Sequence, residues 1–387
     1  MGSHLMVVHT QQELKGIHYA PPRNNIRQDT WDNTSNEPDG GGLKNTWLRV
    51  DEASQLDFSL ETMDSVFLRL SWQALNPAQD VYDFTSLDGL LDILIDDGKT
   101  ATLGIMAGRY TPDFVFTNGC MTVGGLTYNP GNEAQLLVPI PHDATYRDAY
   151  NTFMRALGAH IVGDVGYNAA VLMVKTALVS AHSVECRISP IDAYDYSGLG
   201  LSGNAEKQDH VHTMFCNAGY QEALVLQTIA ESANVIRAAF PDMFVGIPFV
   251  RGSNRFPTNG VGVFPDLDGT NTTINRACVG LATVHTPMAM LNDTTFEEGG
   301  GDANIFEQIF DADGSFGAQL NAQSLGYRSA SSPNDPDAVA ATINYANDFT
   351  PDPPGTRRYE YLFVEVHDGN MSAMEAVLIA GNALLNE

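Results

Sequence analysis

Short apolar runs recur along the chain, and they alternate with longer segments in which apolar residues return every three or four positions. A short apolar run is typical of a β-strand, and the three-four spacing is typical of an amphipathic helix. The strands predicted from the runs are 16–21, 66–72, 101–107, 171–180, 243–249, 278–285, 316–323 and 361–366. The helices predicted between and after them are 87–96, 146–161, 220–239, 303–310 and 372–385.

Most of the predicted strands are apolar at nearly every position, without alternation of apolar and polar residues. This pattern favours parallel strands that are covered on both faces. Eight such strands with intervening helices predict an α/β fold, a (β/α)8 TIM barrel that forms a single catalytic domain over residues 7–387. Residues 1–6 have the pattern of an expression-vector remnant.

Long segments without clear periodicity follow three of the predicted strands, at 108–141, 181–220 and 251–275. They are much longer than ordinary βα loops, which have about two to six residues. Because the βα loops of a TIM barrel build its functional site, we expect these long loops to surround a cleft at the C-terminal ends of the strands.

The charge balance of the chain excludes some partners. The sequence has 387 residues, of which 43% are hydrophobic, and its formal net charge is −27. A surface this negative repels phosphate backbones, so we expect no nucleic-acid partner. No run reaches the about 18 apolar residues of a membrane span, so we expect no membrane insertion.

The location and assembly of the protein are less constrained. The scarcity of basic residues fits a secreted or periplasmic protein whose signal peptide is not in this sequence, and it also fits an ordinary acidic protein of the cytoplasm. The sequence carries no indication of the oligomeric state.

No cofactor and no metal site are predicted. The histidines lack the spacing of common zinc motifs, and the glycine-rich segments 39–42 and 298–301 do not connect a strand to a helix as a phosphate-binding loop does. The four cysteines include no Cys-x-x-Cys pair. The cysteines have two alternative states: Cys186 and Cys216 form a disulfide, or all four are ordinary buried thiols.

The segment 66–72 reads Val-Phe-Leu-Arg-Leu-Ser-Trp, and Leu-Asn-Pro at 75–77 and Tyr-Asp-Phe at 82–84 follow it. It resembles the second strand and loop of clan A glycoside hydrolases, particularly β-galactosidase-like enzymes, where an Arg-x-x-Trp strand precedes a proline and a Tyr-Asp-Phe turn. Segment 103–114 is similar to the third strand and its loop, with Phe114 where those enzymes often have tryptophan. The resemblance covers about residues 16–190 and implies a (β/α)8 glycosidase.

The resemblance also implies a general acid/base at the end of the fourth strand, where this chain has Glu185. An acid that protonates a glycosidic oxygen needs a raised pKa, which partial burial near a second carboxylate supplies. Val184 stands where the family has asparagine, and the alternative role of Glu185 is that of a loop cap or a partner of Arg187.

The second carboxylate has two candidates, Glu365 and Glu298. The family holds its nucleophile at the end of strand seven, and the predicted seventh strand of this chain contains no acid. Glu365 lies within an apolar run, where an ionised carboxylate is costly unless it is paired or functional. It is the family nucleophile if the strand count is wrong by one, and a structural partner of an arginine such as Arg69 if it lies on strand eight. Glu298, next to Glu297, is the alternative nucleophile.

Other residues near predicted strand ends are candidates for substrate binding, because sugars need aromatic faces for stacking and polar groups for their hydroxyls. They are His18, Trp72, Arg109, Tyr110, His182, Arg251, His285, Gln319, Gln323 and His367.

Two functions follow from these observations. The first is a glycoside hydrolase that cleaves O-glycosidic bonds of an oligo- or polysaccharide by a retaining, two-carboxylate mechanism. The second is a catalytically inactive carbohydrate-binding barrel, which the missing acid on strand seven favours. Both predict a carbohydrate as the ligand.

Overall fold

Eight parallel strands close into a barrel in the computed structural model of the chain. The structure describes residues 16–19, 65–129, 135–182, 188, 193–250, 286–291, 317–320, 328–329, 332–333, 361–364 and 380. The barrel strands are β1 (Gly16–Tyr19), β2 (Ser65–Ser71), β3 (Thr100–Met106), β6 (Val171–Lys175), β7 (Phe244–Val250), β8 (Thr286–Leu291), β9 (Gly317–Leu320) and β12 (Tyr361–Val364).

Each barrel strand pairs in parallel with its neighbours in chain order, and β1 pairs with both β2 and β12, which closes the ring. The predicted (β/α)8 barrel is therefore confirmed. Two small antiparallel sheets lie outside the barrel: β4 (Thr122–Thr127) pairs with β5 (Leu137–Pro139), and β10 (Arg328–Ser329) pairs with β11 (Ser332–Pro333).

The described helices follow the second, third and fourth barrel strands. They are α1 (Trp72–Leu75), α2 (Thr85–Asp96), α3 (Asp113–Thr117), α4 (Ala144–Gly163), α5 (Val165–Ala170), α6 (Asn204–Asn217) and α7 (Glu222–Ala239). The helices predicted at 303–310 and 372–385 lie outside the described residues, apart from Ala380, which is helical.

The outer core fills the space between the barrel and its helices. Leu68 and Leu70 of β2 pack in one buried cluster with Leu91 of α2 and with Tyr150 and Phe153 of α4. This arrangement explains why the strands are apolar on the outward face and why the helices carry apolar residues on one side only.

Helix α4 begins at a side-chain cap and later approaches α7 closely. Asp143 caps the helix by accepting a hydrogen bond from the backbone N–H of Tyr146 at 3.0 Å. A Cβ added at Gly158 would lie 2.5 Å from the carbonyl oxygen of Ala239, so only glycine allows this contact between α4 and α7.

The prediction for the sixth barrel strand was wrong. It placed the strand at 278–285, whereas β8 spans Thr286–Leu291. The apolar run continues from 278 to 291, and the proline at position 287 made its second half an unfavourable strand because proline donates no hydrogen bond. In the barrel, Pro287 is nevertheless paired with Ile247 of β7.

Two loops predicted to be irregular contain regular structure. The segment after β3 includes α3 and the β4–β5 hairpin, and the segment after β6 includes α6. Helix α6 buries only Val211, His212 and Phe215, so its apolar periodicity is weak and the sequence did not reveal it. Strand β6 also ends at Lys175, earlier than the predicted 180.

No described helix is both long enough and apolar enough to cross a membrane.

Candidate active site

The C-terminal ends of the barrel strands form one rim, because all the strand pairs in the barrel are parallel. Two described loops leave this rim side by side. One follows β3 and begins with a 3-10 turn at Gly108–Tyr110. The other follows β6, and it is described at 176–182, at Ile188 and from Ala193 onward.

Arg109 joins these two loops. Its backbone N–H donates to the carbonyl oxygen of Ala181 at 2.8 Å. Its Nη2 donates to the carbonyl oxygens of Asn129 at 3.3 Å and Ala193 at 3.4 Å. Arg109 is only 1% exposed, so its guanidinium does not face solvent.

Tyr146 also connects the loop after β3 to the loop after β6. Its hydroxyl accepts from the backbone N–H of Gly108 at 2.9 Å and donates to the carbonyl oxygen of Leu178 at 3.0 Å. Burial raises the pKa of Tyr146 far above its ordinary value, so the hydroxyl keeps its proton and can donate. Gly108 has φ +59°, and a Cβ there would lie 2.2 Å from the carbonyl oxygens of Ser180 and Ala181.

Two tyrosines add a stacked contact between the loops. The rings of Tyr128 and Tyr194 are 5.6 Å apart at an interplanar angle of 18°. The guanidinium of Arg109 lies 5.3 Å from the centroid of the Tyr128 ring. Burial raises the pKa of Tyr128 well above its ordinary value, and the neighbouring Arg109 acts in the opposite direction.

The barrel interior contains two basic side chains, Arg69 and Lys175, at matching positions in the strand register. Arg69 of β2 pairs with Gly104 of β3, Gly104 pairs with Lys175 of β6, and Lys175 pairs with Gly246 of β7. Arg69 Cζ lies 5.3 Å and Lys175 Nζ 4.1 Å from the centroid of the Phe67 ring. Glycines on the alternate strands leave room for these long side chains.

Lys175 is not among the site residues predicted from the sequence. It is completely buried at the C-terminal end of β6. The signal was present, because a lysine within an apolar run is as costly to bury as the glutamate at 365 that was selected on this ground.

Trp72 lies in the outer core. Its ring is fully buried, with its centroid 5.1 Å from that of Tyr150 and 5.9 Å from that of Tyr146. Its Nε1 donates to Asn76 Oδ1 at 3.2 Å. Because no face of the ring is open, this placement favours a packing role over the predicted stacking on a sugar, and the burial of Arg109 similarly favours a structural role.

Tyr110 and His182 belong to the loops that follow β3 and β6. Tyr110 belongs to the buried cluster inside the barrel, with Phe67, Met106 and Met173 among its members, and it is 4% exposed. His182 is half-buried in the loop that follows β6. Contacts of these two residues with a sugar stay a prediction.

The remaining candidate residues are described only in part or not at all. His18 lies within β1 and Gln319 within β9, and the structure describes their backbone alone. The other candidates lie outside the described residues: Glu185, Glu297, Glu298, Glu365, Arg251, His285, Gln323 and His367.

The strand order nevertheless determines which barrel strand precedes Glu365 in the chain. The strand before Glu365 is β12, which is the eighth barrel strand, and β9 is the seventh. Glu365 therefore directly follows the eighth strand, one strand later than the nucleophile of the family that the sequence resembles. The described strand before Glu298 is β8, the sixth. His285 directly precedes β8, whose start lies at the opposite rim from the predicted cleft.

Within the described residues, no group of three or more His, Cys, Asp or Glu side chains is arranged to hold a metal ion. Cys120 is a buried free thiol, and its pKa is raised to about 12, first by burial and then by the charge and hydrogen bond of Asp143. The disulfide between Cys186 and Cys216 stays a prediction, since Cys186 lies outside the described residues.

No protein-family model and no curated protein matches the sequence. The chain is similar to solved structures of TsXylA, an intracellular xylanase from Thermoanaerobacterium saccharolyticum JW/SL-YS485. One has 11% identity and a TM-score of 0.41, covering 95% of this chain and 89% of that chain. Two complexes of TsXylA mutants, with xylotriose and with xylotetraose, have 10% and 9% identity, TM-scores of 0.42 and the same coverage. The likeness is too distant to assign a role to any residue.

Proposed function

We propose that the protein is a glycoside hydrolase that uses Glu185 as general acid/base and Glu365 as the second carboxylate, with Glu298 as the alternative. The observation that carries the proposal is the attachment of Ala181 and Ala193 to the loop after β3 at the C-terminal rim of the barrel. These two residues flank Glu185 in the chain. In a (β/α)8 barrel this rim is where catalytic residues gather.

Glu365 supports the proposal by its place in the chain. In the chain it directly follows Val364, the last residue of β12, and β12 ends at the same rim as β6. Two carboxylates at one rim are the minimum that glycoside hydrolysis requires, one to protonate the leaving oxygen and one to attack the anomeric carbon or to activate water.

The proposed reaction retains the anomeric configuration. Glu185 donates a proton to the glycosidic oxygen while the second carboxylate forms a covalent bond to the anomeric carbon. Glu185 then removes a proton from water, which attacks that carbon and releases the carboxylate. A secreted or periplasmic location belongs to the same proposal and rests on the acidic composition alone.

Hydrolysis of a panel of aryl β-glycosides by the wild type and by Glu185→Gln tests the proposal. We expect the variant to lose about 10²- to 10⁴-fold in rate, which is the usual contribution of a general acid or base. Glu231→Gln, on the outer helix α7, is the matched control and should hydrolyse at the wild-type rate. Equal rates for wild type and Glu185→Gln would refute the role of Glu185.

A catalytically inactive carbohydrate-binding barrel is the second candidate. The observation that favours it is the sequence of β9, the seventh barrel strand, whose four residues Gly317–Leu320 include no acid. Binding of xylo- or gluco-oligosaccharides in calorimetry, without hydrolysis of any glycan in a broad panel, would support it. Release of sugar that depends on Glu185 would exclude it.

A further inference from the structure

We propose that Arg109 is a positioning residue, which holds both ends of the segment 182–192 and thereby fixes the place of Glu185. The proposal rests on the proposed function, because it assigns Arg109 a role in the reaction of Glu185. It replaces the sugar contact expected for Arg109 from the sequence with an indirect role.

The first end of the segment is held by the backbone. The N–H of Arg109 donates to Ala181 at 2.8 Å, and Gly108 fits against Ser180 and Ala181 because it has no Cβ. Tyr146 binds Gly108 and Leu178 at once, so this contact is supported on both sides. The chain therefore enters the segment from a fixed point.

The second end is held by the guanidinium of the same residue. Nη2 of Arg109 donates to the carbonyl oxygen of Ala193, and that oxygen also accepts from the backbone N–H of Asn129 at 3.1 Å. The N–H of Asp195 donates to Thr127 at 3.0 Å, which extends the connection to the β4–β5 hairpin. The chain therefore leaves the segment from a second fixed point.

A point within the segment is also attached. The hydroxyl of Tyr194 donates to the carbonyl oxygen of Ile188, while its ring stacks on Tyr128 beside Arg109. One residue thus connects the entry, the exit and, through the tyrosine pair, the middle of the segment that contains Glu185.

The chemistry of Arg109 fits this role better than a sugar contact. Its guanidinium is a planar fork with several donors, which suits simultaneous contact with more than one carbonyl. With a side chain 1% exposed, Arg109 has no surface for a substrate hydroxyl. A misplacement of a catalytic group by about 1 Å can reduce the rate by about 10²-fold, so positioning alone is a large contribution.

Arg109→Met tests the proposal, with Arg147→Met on the outer face of α4 as the matched control. We expect Arg109→Met to lower kcat by about 10- to 100-fold while KM stays within about threefold. The alkaline limb of its pH–rate profile should also shift, because that limb reports the general acid. The control should keep both kinetic constants and the profile. A raised KM with unchanged kcat in Arg109→Met would overturn the proposal.

Limited digestion with trypsin tests the attachment without any substrate. Arg187 lies within the segment, and we expect cleavage after it to be at least about tenfold faster in Arg109→Met than in wild type or in Arg147→Met, because local opening controls such cleavage. An unchanged cleavage rate would overturn the attachment. A wild type that hydrolyses no glycoside would refute the proposed function, and with it the catalytic part of this inference, but not the attachment.

Tyr194→Phe provides a second variant if Arg109→Met does not fold. It keeps the stack with Tyr128 and removes only the hydroxyl that donates to Ile188. We expect the same direction of change in kcat and in tryptic cleavage, with a smaller size. Wild-type values of both in Tyr194→Phe would overturn the proposal for the middle of the segment.

Discussion

The Nζ atom of Lys175 lies 4.1 Å from the centroid of the Phe67 ring, and both side chains are completely buried inside the barrel. A cation over an aromatic face is attracted by the negative charge density of the ring, and the attraction reaches about 2 kcal/mol when water is excluded. The ring therefore offsets part of the cost of burying the ammonium group.

A double-mutant cycle measures this attraction. Lys175→Met keeps an unbranched stem but removes the charge, and Phe67→Leu keeps an apolar side chain but removes the aromatic face. We expect a coupling of about 1–2 kcal/mol between the two substitutions in urea unfolding. Effects that add to within about 0.5 kcal/mol would show that the ring and the ammonium group do not interact.

Gly158→Ala should destabilise the protein at the contact between α4 and α7. The new methyl group would lie 2.5 Å from the carbonyl oxygen and 2.7 Å from the Cβ of Ala239, so the helices must separate. We expect a loss of about 1–3 kcal/mol in the free energy of unfolding. Gly163→Ala in the same helix is the control: no atom lies within 4 Å of its Cβ, and it should stabilise by about 0.4–1 kcal/mol. A stabilising effect of Gly158→Ala would contradict the packing.

Gly108→Ala should be more harmful than Gly98→Ala, although both glycines have positive φ, +59° and +66°. At Gly98 no atom lies within 4 Å of an added Cβ. The free energy of unfolding should therefore fall only by the cost of an alanine in the left-handed conformation, about 1–2 kcal/mol. At Gly108 the methyl group would also collide with Ser180 and Ala181. Thermal unfolding of both variants measures the difference, and equal losses would show that the loops after β3 and β6 do not meet as described.

Cys120 should resist alkylation in the folded protein. Burial and the nearby charge of Asp143 raise its pKa to about 12, so almost no reactive thiolate is present at pH 8. We expect iodoacetamide to leave Cys120 unmodified in the native protein and to modify it in urea, as read by peptide mass spectrometry. Rapid modification under native conditions would mean that the thiol is exposed or ionised.

The apolar pattern predicted seven of the eight barrel strands at or near their observed positions, because parallel strands covered on both faces have a strong local signal. It failed where the signal was ambiguous or weak. In the run from 278 to 291, Pro287 makes the second half an unfavourable strand, and β8 nevertheless formed there. Helix α6 has a mostly polar sequence and needs the β4–β5 hairpin to cover its few apolar residues.

The sequence by itself determined the class of fold, the order of its strands and the rim at which a site would form, because hydrophobic periodicity is a local property of the chain. The sequence also predicted that Arg109 lies near that rim, but it did not predict the role of Arg109. Only the tertiary structure decided that Arg109 holds Ala181 and Ala193, and that Lys175 lies on Phe67 inside the barrel. These contacts join residues that are far apart in the chain, and they depend on how strands and loops pack, which no local pattern encodes.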